Sequence, residues 1–296
     1  MTQQEKYRAS LYAVTEVLHK TEHVLVEKVV SSLDGAVYVR KTYPADKREI
    51  FSLLAQLDDP HIPNIVDIFF DADTTVIEQY IPGKTLQELM EENHRFSAAQ
   101  IRNMTESLFA AIDVLHSHAV IHRDIKPANI IVRPDGEAVL IDYSIARIFS
   151  RGEDTQHLGT VGYAAPEQFG FSKSDQRTDL YALGVTMLQI MTKKNTPRYL
   201  RKAMARCAEF DPARRFEDVR HLVRQLRRDR WFRGAGTVLA AAVLAAGAFL
   251  LVDMLRPSDT LRLAENTKQS IPATVVYEPV VERRSEEHTS ELQSPQ

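Results

Sequence analysis

The spacing of apolar and polar positions changes along the chain, and each change predicts a different element. Val24 to Val30 and Ala36 to Lys41 are β-branched runs, and Asp34-Gly35 between them is a hairpin turn signal. Asp46 to Leu57 places apolar residues at helical spacing. Thr75 to Tyr80 reads as a further strand, stopped by Pro82-Gly83. Ser97 followed by Gln100 is a capping-box pattern, and it opens a long helix reaching His118. Strands come first and helices after, which predicts an α+β protein with two lobes. Residues 1–233 hold no internal repeat and no low-complexity linker.

The pattern breaks at Gly234. From there to Val252 the chain carries no charge over 19 residues. A helix of that length reaches about 28 Å, close to the hydrocarbon thickness of a bilayer. Arg224, Arg227, Arg228, Arg230 and Arg233 precede the run, an asymmetry that places the N-terminal side in the cytoplasm. The expectation is one transmembrane helix over 231–253, with a short extracytoplasmic segment over 254–283. A buried Ala-rich helix is the competing reading, disfavoured because no second apolar segment of helix length follows to cover it. Arg284 to Ser294 (RSEEHTSELQS) matches the in-frame translation of a sequencing-library adapter, so residues 284–296 are read as foreign to the fold.

Composition adds limits. The 296 residues carry 37 Lys and Arg against 40 Asp and Glu, a net charge of -3, with 44% hydrophobic and 26% charged residues. Those are globular proportions, and they exclude a mostly disordered or fibrous chain. Near-neutrality gives no reason to expect nucleic acid. The stretch Lys193 to Arg233 is locally basic, with 14 Lys and Arg against 5 Asp and Glu. A juxtamembrane face against anionic lipid explains it better than a nucleic-acid surface. Cys207, the only cysteine, cannot form an internal disulfide, which points to a reducing compartment. The first ten residues contain no apolar stretch and do not form a signal peptide.

The candidate chemistry lies between Ile121 and Glu167. His122 to Asn129 (HRDIKPAN) is followed by a PDG turn and by the strand that ends at Asp142. This segment offers a carboxylate to accept a hydroxyl proton, a lysine for phosphate charge, and amide and carboxylate ligands for metal. Ala165-Pro166-Glu167 closes it. With Lys41 at a strand end, Glu49 on the next helix, Arg177 to Gly184 (RTDLYALG) and Asp211 to Arg215 (DPARR), the set resembles the eukaryotic-type Ser/Thr protein kinases of bacteria over residues 12–227.

That resemblance implies a two-lobed α+β protein-kinase fold, with a β-rich N-lobe and hinge over 1–83 and a helical C-lobe over 84–230. It implies ATP with Mg²⁺ or Mn²⁺, and transfer of the γ-phosphate to Ser or Thr hydroxyls of proteins. By carry-over, Lys41 holds the phosphates and pairs with Glu49, and Asp124 is the catalytic base. Lys126 stabilises the transferred group, while Asn129 and Asp142 bind metal. Glu78 falls at the gatekeeper position, and adenine meets backbone groups of Gln79 and Ile81. Ser150, Thr155 and Thr160 are the phosphosite candidates, Thr155 as the preferred regulatory site and Thr160 as part of the acceptor site. A homodimer that phosphorylates itself in trans and protein substrates are the implied partners; the apolar run and the basic stretch before it add membrane lipid, at a cell membrane crossed once with the kinase lobes in the cytoplasm.

The chain also departs from the family. Leu18 to Val26 lacks the glycines that let backbone amides approach phosphate, Asp142-Tyr143-Ser144 replaces Asp-Phe-Gly, and Ile190 to Asp211 is short. A scaffold without catalysis therefore competes with the enzyme. Small-molecule phosphotransferases of related fold are disfavoured, since they generally lack the lysine of HRDIKPAN and the Ala-Pro-Glu segment. His19, Glu22 and His23 fit an inverted zinc-protease pattern, which needs a helix where a strand is expected.

Overall fold

The computed structural model describes residues 3–22, 24–43, 47–149, 159–170 and 173–255. Ser150, Thr155, His23 and the adapter-like tail lie outside the described residues. The chain divides after Gly234, and the unit Met1–Gly234 takes in both expected lobes.

Its first part is a helix, α1 (Gln3–Ser10), then strands β1 (Tyr12–Lys20), β2 (Leu25–Ser31) and β3 (Val37–Tyr43). A helix α2 (Arg48–Leu54) and strands β4 (Ile65–Phe70) and β5 (Thr74–Gln79) follow. The strands form one antiparallel sheet in the order β1-β2-β3-β5-β4. The β2–β3 turn is as expected: Gly35 takes φ +69°, and Asp34 Oδ1 accepts the Ala36 N–H at 3.0 Å. α2 is shorter than its periodicity predicts. Past Leu54 the backbone tightens into three-residue bonds, Gln56 N–H to Leu53 and Leu57 N–H to Leu54 carbonyls, which ends the α-helical ladder. α1 is tied to the sheet by the ion pair of Arg8 with Asp67.

Gly83 turns the chain out of the sheet. A Cβ there would lie 2.4 Å from the Val132 carbonyl oxygen, so only glycine lets the connection pass so close. Next come β6 (Lys84–Thr85), α3 (Leu86–Glu91) and α4 (Ala98–Ser117). Ser97 caps α4 as its sequence predicts, its Oγ accepting the Gln100 N–H while Gln100 Oε1 accepts the Ser97 N–H. Ile101, Met104, Leu108, Ile112 and Leu115 recur three or four residues apart and are all buried. Each such side chain contributes about 1.5–3 kcal/mol by leaving water.

Short strands frame the loops that carry the chemistry: β7 (Val120–Ile121), β8 (Ile130–Val132), β9 (Ala138–Leu140) and β10 (Arg147–Ile148). β6-β8-β9 form one small sheet and β10-β7 another. Helices α5 (Gln176–Ile190) and α6 (Arg198–Cys207) complete the lobe, and α7 runs Val219–Leu255. α6 sits directly on α5 at a glycine: a Cβ on Gly184 would lie 2.7 Å from the Met204 carbonyl oxygen and 2.9 Å from the Cys207 Cβ. Cys207 is fully buried there, and burial pushes its thiol up to about 12. One hydrophobic cluster joins the sheet, α2, α4, α5, α6 and the start of α7.

The helix expected around residues 231–253 exists as part of α7. Among the described residues, no helix is long and apolar enough to cross a membrane. The exposed apolar side chains in its last part include Leu244, Phe249, Leu251 and Met254.

Candidate active site

Between β7 and β8 the chain runs through His122 to Asn129, and a buried acid on α5 holds this loop. Asp179 Oδ2 accepts the His122 backbone N–H at 2.9 Å, and Oδ1 accepts the Arg123 N–H at 2.8 Å. His116, on α4, bonds the same carboxylate at 2.9 Å. Burial works to raise the Asp179 carboxyl, but the His116 bond and the neighbouring charges and amides overcome it and hold the acid below its ordinary value. The anchoring keeps Arg123 at φ +70°, a left-handed conformation that a non-glycine residue adopts only under such constraint.

The carboxylate of Asp124 is surrounded by donors. Lys126 Nζ lies 2.7 Å from Oδ2, Asn129 Nδ2 donates to Oδ2 at 2.9 Å, and the Thr160 hydroxyl donates to Oδ1 at 2.7 Å. Lys126 Nζ also donates to Thr160 Oγ1 at 2.8 Å, so acid, lysine and hydroxyl form a closed triangle. Asn129 Nδ2 further donates to the Asp124 carbonyl at 2.9 Å. That orientation commits its amide nitrogen and turns the side-chain carbonyl oxygen into the acceptor atom.

His122 is fully buried, and burial lowers its pKa. With a neutral ring, Nε2–H donates to the Ile141 carbonyl at 3.1 Å and Nδ1 accepts the Asp124 N–H at 3.3 Å. Tyr143 stands where the family has phenylalanine. Its ring packs 5.0 Å from that of His122, and its hydroxyl donates to the Leu140 carbonyl at 2.9 Å, so the added oxygen is buried but bonded. Asp142 is held at φ +68°, with Oδ1 accepting the Ser144 N–H at 3.1 Å. Burial would raise its carboxyl, and the Lys41 charge with the Ser144 bonds brings it below the ordinary value.

Lys41 departs from expectation. Its Nζ lies 2.5 Å from Glu78 Oε1, both side chains being 5% exposed, while Glu49 sits exposed in the first turn of α2. The pairing of Lys41 with Glu49 is thus corrected: the partner comes from β5 and not from α2. Burial opposes the Lys41 charge, and the carboxylates of Glu78 and Asp142 more than offset it, leaving its pKa above the ordinary value. At the hinge, the Gln79 N–H is committed to the Asn64 carbonyl at 2.8 Å, and Ile81 is buried.

Farther out, Arg215 grips Glu167 through two bonds of 2.7 and 3.0 Å, and also donates to the Glu209, Phe210 and Arg177 carbonyls. Thr178 adds a hydroxyl bond to Glu167 at 3.0 Å. The β1–β2 connection is built differently. It is closed by Thr21, whose N–H donates to the Val24 carbonyl at 2.9 Å, and most of β1 is exposed. His19 lies on β1 opposite Val26, on a strand and not on a helix.

The donor set fits a nucleotide with a divalent cation. Lys41 Nζ carries three N–H donors and its Glu78 pair leaves others for phosphate, while Asp142 and Asn129 offer hard oxygen ligands. Sequence reasoning missed Glu78 as the partner of Lys41 and His116 as a support of Asp179. The register of two strands and the meeting of two helices carry those facts, and no local motif does.

Fold and site together define a protein kinase domain. Residues 13–229 match the protein kinase domain family, and the chain belongs to it. It is 31% identical over 150 residues to the probable serine/threonine-protein kinase PknB of Lactococcus lactis, covering 49% of this chain and 24% of that protein. It is 29% identical over 205 residues to serine/threonine-protein kinase B of Synechocystis, covering 65% and 35%. With PrkC of Bacillus subtilis it shares 32% over 142 residues, covering 47% and 22%. The matches thus span about a third or less of these curated relatives.

Proposed function

We propose that the protein is a Ser/Thr protein kinase that transfers the ATP γ-phosphate to protein hydroxyls, those of a second copy included. The observation that carries this reading is a hydroxyl, that of Thr160, already bonded both to Asp124 Oδ1 and to Lys126 Nζ. An acceptor hydroxyl in that place gives its proton to the Asp124 carboxylate as its oxygen bonds to the γ-phosphorus, and the bond from phosphorus to the bridging oxygen of ADP breaks. Lys126 offsets the charge on the group in transfer, and Lys41 holds the phosphates behind it. Asp142 and Asn129 would hold a divalent cation, which would supply further charge neutralisation. The test is phosphate incorporation by the full chain with ATP and Mg²⁺ or Mn²⁺, against Asp124→Asn. Equal signals from the two, with nucleotide binding undetectable, would leave the scaffold reading, which the glycine-free β1–β2 turn favours.

A second part of the proposal is membrane anchoring through residues 231–253, with the kinase lobes on the cytoplasmic side. The uncharged run from Gly234, the arginines before it and the continuous helix α7 support it. A cysteine introduced at Ser258 should react with an impermeant thiol reagent on intact cells, and one at Thr2 should not. The opposite pattern would sink the topology.

A further inference from the structure

The position of Glu78 follows from strand register. β3 and β5 run antiparallel with Val39 opposite Glu78 and Lys41 opposite Val76. Lys41 and Glu78 are therefore diagonal neighbours on one face of the sheet, at a separation that long side chains span. Both are buried, with Nζ and Oε1 at 2.5 Å. The expected partner, Glu49, belongs to a seven-residue helix whose first turn has no side-chain cap, and it lies at the surface.

We infer that Glu78 is the positioning residue for Lys41, doing from within the sheet what a helix carboxylate was expected to do. The inference rests on the kinase reading above. A buried ammonium needs a carboxylate within reach, and Lys41 has two acids acting on it, Glu78 and Asp142. In the kinase reading Asp142 is a metal ligand. Glu78 is the acid that holds the lysine without competing for the cation. The β3–β5 ladder fixes the two Cα positions, so the lysine stays placed whatever α2 does. Without Glu78, Lys41 turns toward Asp142, and the grip on phosphate suffers more than the proton transfer at Asp124.

The experiment compares the full chain with Glu78→Gln, Glu78→Asp and Glu49→Gln, reading KM for ATP and kcat separately, the affinity for a fluorescent trinitrophenyl ATP, and the thermal melt. Glu78→Gln should raise KM for ATP by about tenfold or more, because a buried charge loses its partner, with a smaller change in kcat. Glu78→Asp, which keeps the charge with one methylene less, should fall between it and the parent. Glu49→Gln should raise KM by less than about threefold, the size of a surface ion-pair effect. A parent KM in Glu78→Gln, or an equal or larger rise in Glu49→Gln, overturns the inference. If Glu78→Gln does not melt cooperatively, Glu78→Asp against Glu49→Gln decides: a raised KM in the first alone supports the assignment, and the reverse order overturns it. Failure of the kinase reading looks different, since the unaltered chain would then give no Asp124-dependent phosphate incorporation. A parent that still binds the trinitrophenyl ATP ranks the same variants by affinity, and a parent that binds none overturns both readings.

Discussion

The two sides of the candidate cleft are built to different standards. On the C-lobe side, His122, Arg123 and Asp124 are held by Asp179, Asn129, Lys126 and Thr160, with each anchor buried or bonded more than once. On the N-lobe side, β1 is mostly exposed, its pairing with β2 is interrupted by two register shifts, and its turn is closed by a threonine. Groups that must meet a proton within hydrogen-bonding distance are fixed by redundant contacts. In the kinase reading, β1 and its turn are a rim over phosphates, which needs only to cover them. This chain keeps the first requirement and relaxes the second, so substitutions on the two sides should separate cleanly in their effects.

The largest effect is expected at the buried Arg215–Glu167 pair of the C-lobe. Its side chains are 0% and 2% exposed, and Arg215→Met leaves Glu167 charged and buried, which should cost about 3–5 kcal/mol in chemical denaturation. An unchanged midpoint would mean that solvent reaches the pair. Next comes Asp124→Asn, which should lower turnover by at least about a hundredfold, the low end for a positioned base, with little change in melting temperature. Asp142→Asn should match it in turnover and add a demand for more metal.

The C-lobe side also carries a pH signature. His122 has its pKa lowered from 6.5 by burial, so the unfolded chain takes up a proton that the folded one refuses. Stability is then complete above pH 6.5 and declines as pH falls from there toward the folded value. His122→Gln should flatten that limb of the melting curve, and an unchanged slope would assign it to other groups. The smallest effect belongs to the rim. Thr21→Gly removes the hydroxyl that accepts the Val24 N–H at 3.2 Å, and should cost about 0.5 kcal/mol or less, as most exposed substitutions do. KM for ATP should move and kcat should not. A kcat change there would show that the rim takes part in the chemistry.

Much of the C-lobe site was legible in the sequence because a single short loop carries it. His122 to Asn129 are consecutive, and a strand, a turn and a second strand return the chain to Asp142 at a fixed distance. The N-cap of α4 and the turn at Gly35 were legible for the same reason, being decided by residues three or fewer positions apart. The partner of Lys41 was not. It depends on which residue of β5 stands across from β3, and a one-residue slip would have moved Glu78 to the other face. His116 reaching Asp179 across 63 residues is of the same kind. α1 and β4 were not foreseen, and the ion pair of Arg8 with Asp67 that joins them is a tertiary contact with no local signal. The preferred regulatory site, Thr155, lies outside the described residues.

The crowding between α5 and α6 makes the single cysteine a clock. Cys207 lies beneath Gly184 with its thiol raised to about 12, so almost none of it is thiolate at neutral pH while the two helices stay together. An alkylating reagent in excess reacts only when that seam opens, and its rate reports the frequency of opening. Because no other thiol is present, the whole signal comes from one place. Adding nucleotide slows the clock only if occupancy of the cleft tightens the far side of the lobe, which makes an untouched cysteine a gauge of how far binding is felt.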